Sequence, residues 1–127
     1  MTQLVAILAT LILLGLGVFQ FLLILGKPLG EYAWGGQNKV LPTKLRIASA
    51  TSILLYVIFA LVILAWAVVI NTSTSRAWLY TGMWILTVYF VAGVLLNLAS
   101  RSKKERKVMV PITISLTALY LHAIILD

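Results

Sequence analysis

Four long runs of apolar residues, each free of Lys, Arg, Asp and Glu, dominate this chain. A helix needs about 20 apolar residues to cross a hydrocarbon layer roughly 30 Å thick, and each run is close to that length. Lipid tails offer no hydrogen-bond partners, so the backbone groups of a membrane span must pair with one another, as they do in helices and closed β-barrels. The apolar runs are continuous rather than alternating, which favours helices over barrel strands. The sequence therefore predicts an all-α, polytopic membrane protein with one four-helix transmembrane domain over residues 1–127. The predicted spans are residues 4–26, 47–70, 77–99 and 108–126.

The composition excludes several kinds of site. The chain is 62% hydrophobic and 10% charged, whereas soluble domains are about 45–50% apolar and about 25% charged. Because it has no cysteine, it cannot form disulfides, iron–sulfur clusters or Cys-based zinc sites. His122 is the single histidine, so one copy cannot build a multi-histidine metal site. We expect no cofactor and no metal, and we interpret the first run as a retained helix rather than a signal peptide.

The basic residues predict the orientation. Nine of the ten lie in two connections, residues 27–46 and 100–107, which four spans place on the same side of the membrane. The positive-inside rule makes that side the cytoplasm. Both termini are then outside, with the second connection.

The third connection carries a dense basic cluster. Such clusters attract anionic phospholipid headgroups, worth about 1 kcal/mol per basic residue. A specific phospholipid or nucleotide site is the alternative. Nucleic acid is not an expected partner, because the segment is short, adjoins the membrane and has no aromatic residue on which bases could stack. The predicted lipid-contacting residues are Arg101, Lys103, Lys104, Arg106 and Lys107.

Each predicted helix has one stripe of smaller or more polar residues, which we expect to face the interior of the bundle. Plain packing with interhelical hydrogen bonds is one interpretation of these stripes. The other is a polar cavity, and at about 1.5 Å per residue its residues lie in the cytoplasmic half or near the middle. Such a cavity would open towards the cytoplasm and have a neutral lining. The predicted lining residues are Gln20, Ser52, Tyr56, Tyr89 and Asn97.

Catalysis is not expected from this sequence. No acid lies within a predicted span, and membrane proton relays commonly use one. Serine and threonine are frequent, but no base lies at a matching depth to activate them. We therefore predict that the protein is not an enzyme.

The first connection, residues 27–46, is long for so small a protein. Its prolines, its Gly35-Gly36 pair and its apolar side chains predict an ordered loop that packs over the cytoplasmic mouth of the bundle. A connector that rests on the membrane and a lid that contacts a ligand are both open. In the second case the contacting residues would be Glu31, Trp34, Gln37 and Asn38. An ion pair between Glu31 and an arginine of the third connection is also expected.

Two stretches resemble a group of small bacterial four-span membrane proteins. The first comprises Tyr32-Ala33-Trp34-Gly35-Gly36-Gln37, Leu41-Pro42 and Leu45-Arg46. The second comprises Asn97, Ser100-Arg101-Ser102, Glu105-Arg106, Met109 and Pro111. The resemblance covers nearly the whole chain and implies four helices in a bacterial inner membrane. It implies no activity.

Two functions follow from these features. The first is a small transporter or channel-like bundle that acts as a homo-oligomer, because four spans enclose little volume. The second is a non-catalytic accessory or assembly subunit that packs against a larger membrane partner. A lipid-binding protein or membrane enzyme is a third. The lipid bilayer and its anionic headgroups are the expected partners in every case.

Overall fold

The computed structural model describes residues 1–70 and 77–125, and every regular element in that part of the chain is helical. All four long helices are long and apolar enough to cross a membrane. This confirms the predicted all-α architecture of four membrane-spanning helices. The helices are α1 (Thr2–Ile24), α2 (Thr43–Val69), α3 (Ala77–Leu98) and α4 (Lys103–Ile125). The second connection and residue 126, at the predicted end of the fourth span, lie outside the described residues.

Three helices begin earlier than predicted. Helix α1 starts at Thr2 rather than at residue 4, α2 at Thr43 rather than at residue 47, and α4 at Lys103 rather than at residue 108. For α2 and α4, the predicted span began directly after the last charged residue that precedes it. A helix, however, can extend beyond the hydrocarbon layer as far as its capping residue. Ser102 caps α4, because its Oγ accepts the backbone N–H of Glu105 at 3.2 Å. The third connection, predicted as a loop over residues 100–107, is therefore largely helical.

A glycine sets the start of the first connection, which we call the first loop. Helix α1 ends at Ile24 rather than at residue 26, and Gly26 follows with a φ of +88°. The backbone N–H of Gly26 donates to Leu23 O, and that of Lys27 donates to Leu22 O. This pair of bonds is a Schellman motif, which satisfies the last carbonyls of the helix and turns the chain out of it.

The four helices form two hairpins side by side. Helix α1 packs most extensively on α2 and α3 on α4, α1 and α4 join the hairpins, and the contact between α2 and α3 is smaller than these three. Gln3 Nε2 donates to Ala67 O at 3.3 Å, and Trp66 Nε1 donates to Ala123 O at 2.8 Å. These bonds bring both ends of the described chain together at what we call the terminal end. The opposite end, which carries the first loop, is the loop end.

The core of the terminal half is apolar and close-packed. Ala6, Ile63, Met83 and Leu116 are almost completely buried there. Towards the middle, rings from three helices form an aromatic layer of Phe59, Tyr89, Phe90 and Tyr120. The Phe90 and Tyr120 ring centroids are 4.8 Å apart, and those of Phe59 and Phe90 are 5.5 Å apart.

The Tyr120 hydroxyl is the polar link within this layer, since it donates to Phe59 O at 2.7 Å. Replacing Tyr120 with Phe keeps the ring and removes the bond. We expect Y120F to lower the free energy of unfolding by about 1 kcal/mol, measured by denaturant titration in detergent. Y80F, which alters an exposed ring, is the control and should change stability by less. Equal effects of the two substitutions would contradict this account of the layer.

Candidate functional site

The first loop, residues 27–42 in the structure, packs onto the loop end of the bundle. Ala33 and Leu41 are buried with Leu23 in a small apolar cluster separate from the main core. Trp34 Nε1 donates to Ser49 Oγ of α2 at 3.2 Å. The chain makes two short 3-10 turns here, at Gly30–Tyr32 and at Trp34–Gly36. The loop is therefore ordered over the helix ends, as the sequence predicted.

The first turn of α4 holds the other side of this loop. Ser102 Oγ donates to the backbone carbonyl of Glu31, and Lys104 Nζ lies 2.5 Å from the Glu31 carboxylate. The sequence predicted this ion pair with an arginine, whereas the partner is Lys104. The Lys104 hydrogen bond and positive charge hold the pKa of Glu31 below its ordinary value of 4.5. Gly36 also approaches Ser102 so closely that a Cβ there would lie 2.4 Å from the serine Cβ.

Beneath the first loop lies a pocket of about 330 Å³, which we call the loop-end pocket. All four helices contribute to its wall, and Tyr32, Ala33, Trp34 and Gly35 of the loop also line it. The concavities elsewhere on α1 and α2 have almost wholly apolar linings. The structure brings the five residues predicted to line a cavity around this one pocket: Gln20, Ser52, Tyr56, Tyr89 and Asn97. Their role as a binding site stays a prediction.

Residues of both α2 and α3 line the pocket. Ring contacts join these two helices further along, between Trp66 and Tyr80 and between Phe59 and Tyr89. Tyr89 itself is 50% exposed. It was predicted on the inward stripe of α3, but the buried face of that helix runs instead through Met83, Leu86 and Phe90. Because α3 packs mainly against α4, Tyr89 lies at the edge of the pocket rather than in the core.

Glu105 is the pocket-lining residue that the sequence analysis missed. It lies among the basic residues of the third connection, and the predicted cavity was expected to have a neutral lining. The structure corrects that expectation, because Glu105 is only 7% exposed and lines the pocket. The signal was the Ser102-x-x-Glu105 pattern, which is typical of a helix start. With α4 begun there, steps of three and four place Glu105 on the face of Met109, Thr113, Leu116 and Tyr120.

Two polar groups in the pocket wall have no partner within the described part of the chain. One is the Glu105 carboxylate, for which residues 1–70 and 77–125 supply neither an ion pair within 4.0 Å nor a hydrogen bond. The other is Gln20 Oε1, which is buried, although the Nε2 of the same side chain donates to Tyr56 OH at 3.4 Å. Buried polar groups are nearly always hydrogen-bonded, so Gln20 Oε1 requires an explanation. The carboxylate oxygens of Glu105 are not among the fully buried atoms, although the residue as a whole is mostly shielded from solvent.

The remaining predicted loop contacts lie elsewhere. Trp34 lines the pocket, but Glu31, Gln37 and Asn38 are not in its wall. Gln37 is exposed, and the Asn38 carbonyl packs against Gly30, where a Cβ would lie 1.7 Å from that oxygen.

The basic cluster divides into two groups. Lys104 is paired with Glu31, and Arg106 donates to the backbone carbonyl of Ser100. Arg101, Lys103 and Lys107 are exposed on the surface. Their contact with anionic headgroups stays a prediction. Within the described residues, no three His, Cys, Asp or Glu side chains are grouped closely enough to hold a metal ion.

No protein-family model, curated protein or solved structure was found to match this chain. The resemblance to bacterial four-span proteins therefore stays an expectation.

The Gly36 contact predicts a test of how the first loop is held. Gly35 and Gly36 both have positive φ values, but only Gly36 has a neighbour within 4 Å of an added Cβ. G35A and G36A should each lose about 1–2 kcal/mol from backbone strain. G36A should lose a further 1–3 kcal/mol, roughly, because the new methyl group displaces Ser102.

The readout is the labelling rate of a cysteine at Ser49, which is fully buried beside Trp34. The chain has no other cysteine. We expect S49C to react roughly tenfold faster with a water-soluble maleimide in G36A than in G35A, the ratio that about 1.4 kcal/mol produces. Equal rates in the two variants would show that the Ser102 contact does not hold the loop.

The Glu31 pair predicts a dependence on pH. Because the pKa of Glu31 is lowered in the folded protein, the pair stabilises the loop fully above the ordinary glutamate pKa. This contribution is lost as the pH falls from about 4.5 through the lowered folded value. S49C labelling, measured with an acid-tolerant thiol reagent, should therefore accelerate on acidification in the parent protein. In E31Q it should be faster at neutral pH and lose that acceleration, and an unchanged profile would contradict this role.

Proposed function

We propose that this chain is a transport protein of the bacterial inner membrane that binds a small solute in the loop-end pocket and acts as a homo-oligomer. One observation carries the proposal: polar side chains from all four helices converge on a single pocket under an ordered loop. Ligand pockets typically measure about 300–1,000 Å³, so a volume of about 330 Å³ suits a small molecule.

The terminal half of the bundle is close-packed, so transport through it requires either an oligomer or a second conformation. The pocket has the first loop on one side and the aromatic layer with the packed terminal core on the other. A solute in the pocket must therefore pass the aromatic layer to cross. Separation of α2 from α3, the smallest contact in the ring of helices, is the rearrangement that the packing resists least.

The proposal includes no catalytic step. Glu105 is the acidic residue in the pocket wall, and no serine or threonine of the described chain donates to its carboxylate. A general base without a nucleophile in reach does not make an acyl- or phosphoryl-transfer site.

The orientation is the first point to test. The distribution of basic residues supports a cytoplasmic loop end. We expect a cysteine at the exposed Gln37 to react with a membrane-impermeant maleimide only after the cells are opened. A cysteine at Ser73, between α2 and α3 in the sequence, should react in intact cells. The opposite result would invert the topology and place the pocket outside.

Solute uptake is the direct test. Gly93 and Gly82 both lie on α3, and an added Cβ at either meets its nearest neighbour at 3.8 Å. Only Gly93 lines the pocket. Proteoliposomes with the parent protein should accumulate a solute class from a defined mixture of small metabolites, detected by mass spectrometry. G93L should abolish that uptake by filling the pocket, and G82L should retain most of it. Uptake equal to that of protein-free vesicles would overturn the proposal.

An accessory subunit is the alternative, and the packed terminal half favours it, because a helix bundle that only docks on a partner needs no open path. This alternative predicts that the purified chain transports nothing. It also predicts that one membrane protein is recovered with it at constant stoichiometry from its own membranes.

A further inference from the structure

We propose that the loop-end pocket binds an organic ammonium compound, with the Glu105 carboxylate as the counter-ion of its positively charged nitrogen and Gln20 Oε1 as the acceptor of an N–H or O–H group of the same compound. This inference rests on the proposed function and deepens it by naming the class of solute. The ammonium group can belong to a soluble amine or quaternary ammonium ion, or to an amine-bearing lipid headgroup.

The first argument is the free-energy cost of a Glu105 carboxylate that is largely shielded from water and has no partner. This residue is 7% exposed, lines the pocket and has no ion pair or hydrogen bond to its carboxylate within the described chain. Its oxygens are not among the fully buried atoms, but a carboxylate that is largely shielded from water is unfavourable unless a cation or several donors compensate it. A pocket that exposes such a group to its contents is suited to a positively charged occupant.

The basic residues around Glu105 do not supply that compensation, because none of them forms an ion pair with its carboxylate in the described chain, and Arg101, Lys103 and Lys107 are exposed on the surface. Lys104 pairs with Glu31, and Arg106 donates to Ser100 O. Arg46, at the start of α2, donates through Nε to Leu41 O at 2.8 Å. No lysine or arginine lines the pocket, so its charged lining within the described residues is the single acid.

Helix capping does not explain the carboxylate either. In a capping box the glutamate would accept the backbone N–H of Ser102. That N–H donates instead to Ser100 Oγ at 3.2 Å. Only half of the box is formed, and the Glu105 side chain is left for the pocket.

Gln20 supplies the second acceptor. Its Oε1 is buried and has no partner in the described chain, while its Nε2 is engaged by Tyr56. The side chain is 7% exposed and lines the same pocket as Glu105. A carboxylate and an amide oxygen both accept hydrogen bonds and donate none. The pocket therefore favours a ligand that carries hydrogen-bond donors or positive charge.

The aromatic wall favours an organic cation over an alkali ion or an anion. Tyr32, Trp34, Tyr56 and Tyr89 line the pocket, and aromatic faces attract ammonium groups, with quaternary ammonium ions as the best-known case. An alkali ion would leave these rings and most of the roughly 330 Å³ unused. An anion would meet the carboxylate of Glu105.

Titration calorimetry of the full chain in a neutral maltoside detergent tests the proposal. Tetramethylammonium and choline should bind, whereas 3,3-dimethylbutanol, the uncharged isostere of choline, should bind at least about tenfold more weakly. Sodium and potassium at equal concentration should not displace choline. Equal binding of the isostere, equal competition by sodium, or no binding of any ammonium compound would overturn the proposal. This comparison uses the unmodified protein, so it does not depend on the folding of a variant.

Matched variants test the residue assignment. E105Q keeps the shape of the side chain and should weaken choline binding by at least about tenfold, and E105D should retain part of it. Q37K makes the same change of +1 in net charge at the loop end, but Gln37 is exposed and is not in the pocket wall. It should change binding less than about twofold, and an equal loss in Q37K and E105Q would mean that the surface charge, and not the pocket acid, attracts the cation.

Lipid composition separates the two sources of the ammonium group. Choline should bind with equal affinity in nanodiscs of phosphatidylglycerol with and without phosphatidylethanolamine if the ligand is soluble. It should be displaced by phosphatidylethanolamine if the headgroup is the occupant.

Proteoliposome uptake distinguishes failure of this inference from failure of the proposed function. Uptake of neutral solutes without ammonium binding would refute the inference alone. Ammonium binding without uptake of any solute would refute the transport function alone.

Discussion

The hydroxyl of Ser102 is the contact on which the arrangement of the loop end depends. It accepts the N–H of Glu105 and so starts α4, and it donates to the carbonyl of Glu31 and so holds the first loop. Because α4 begins there, Glu105 lies in its first turn on the inward face. Gly36 lies against the same side chain, where a larger residue would not fit. One small side chain therefore sets the start of a helix, the position of the loop and the direction of the pocket acid.

The two halves of the bundle are held together in different ways. Lipid tails are as apolar as leucine, so helices associate in a membrane through close packing and interhelical hydrogen bonds rather than through a hydrophobic driving force. The terminal half has both, with bonds from Trp66 to Ala123 O and from Tyr120 to Phe59 O among buried apolar residues. At the loop end, the first loop is held to α2 by the Trp34–Ser49 hydrogen bond and to the start of α4 by Ser102. A polar pocket can exist there because the loop, and not helix packing, closes it.

The helices and the polar stripe could be predicted from the sequence because both follow from simple periodicities: about 20 apolar residues for a span and steps of three and four for a face. Glu105 could not be placed by a rule that ends each span at its last charge, because the helix continues through the charged segment. The course of the first loop depends on Trp34, which adopts a φ of +52°, and on the approach of Gly36 to Ser102. The approach of Gly36 to Ser102 joins residues that are far apart in the sequence, and no local sequence pattern predicts it or the backbone conformation of Trp34.

Helix geometry reconciles a basic surface with an acidic pocket. Successive residues of an α-helix are rotated by about 100°, so the first two turns of α4 can expose Lys103 and Lys107 while Glu105 lies inside. The net charge of +7 thus combines a basic outer surface at the loop end with this single acid in the pocket wall. The field of exposed charges is screened by salt over about 8 Å, whereas Glu105 lines the pocket itself. A cation in the pocket therefore meets this acid directly and the basic rim only through solvent.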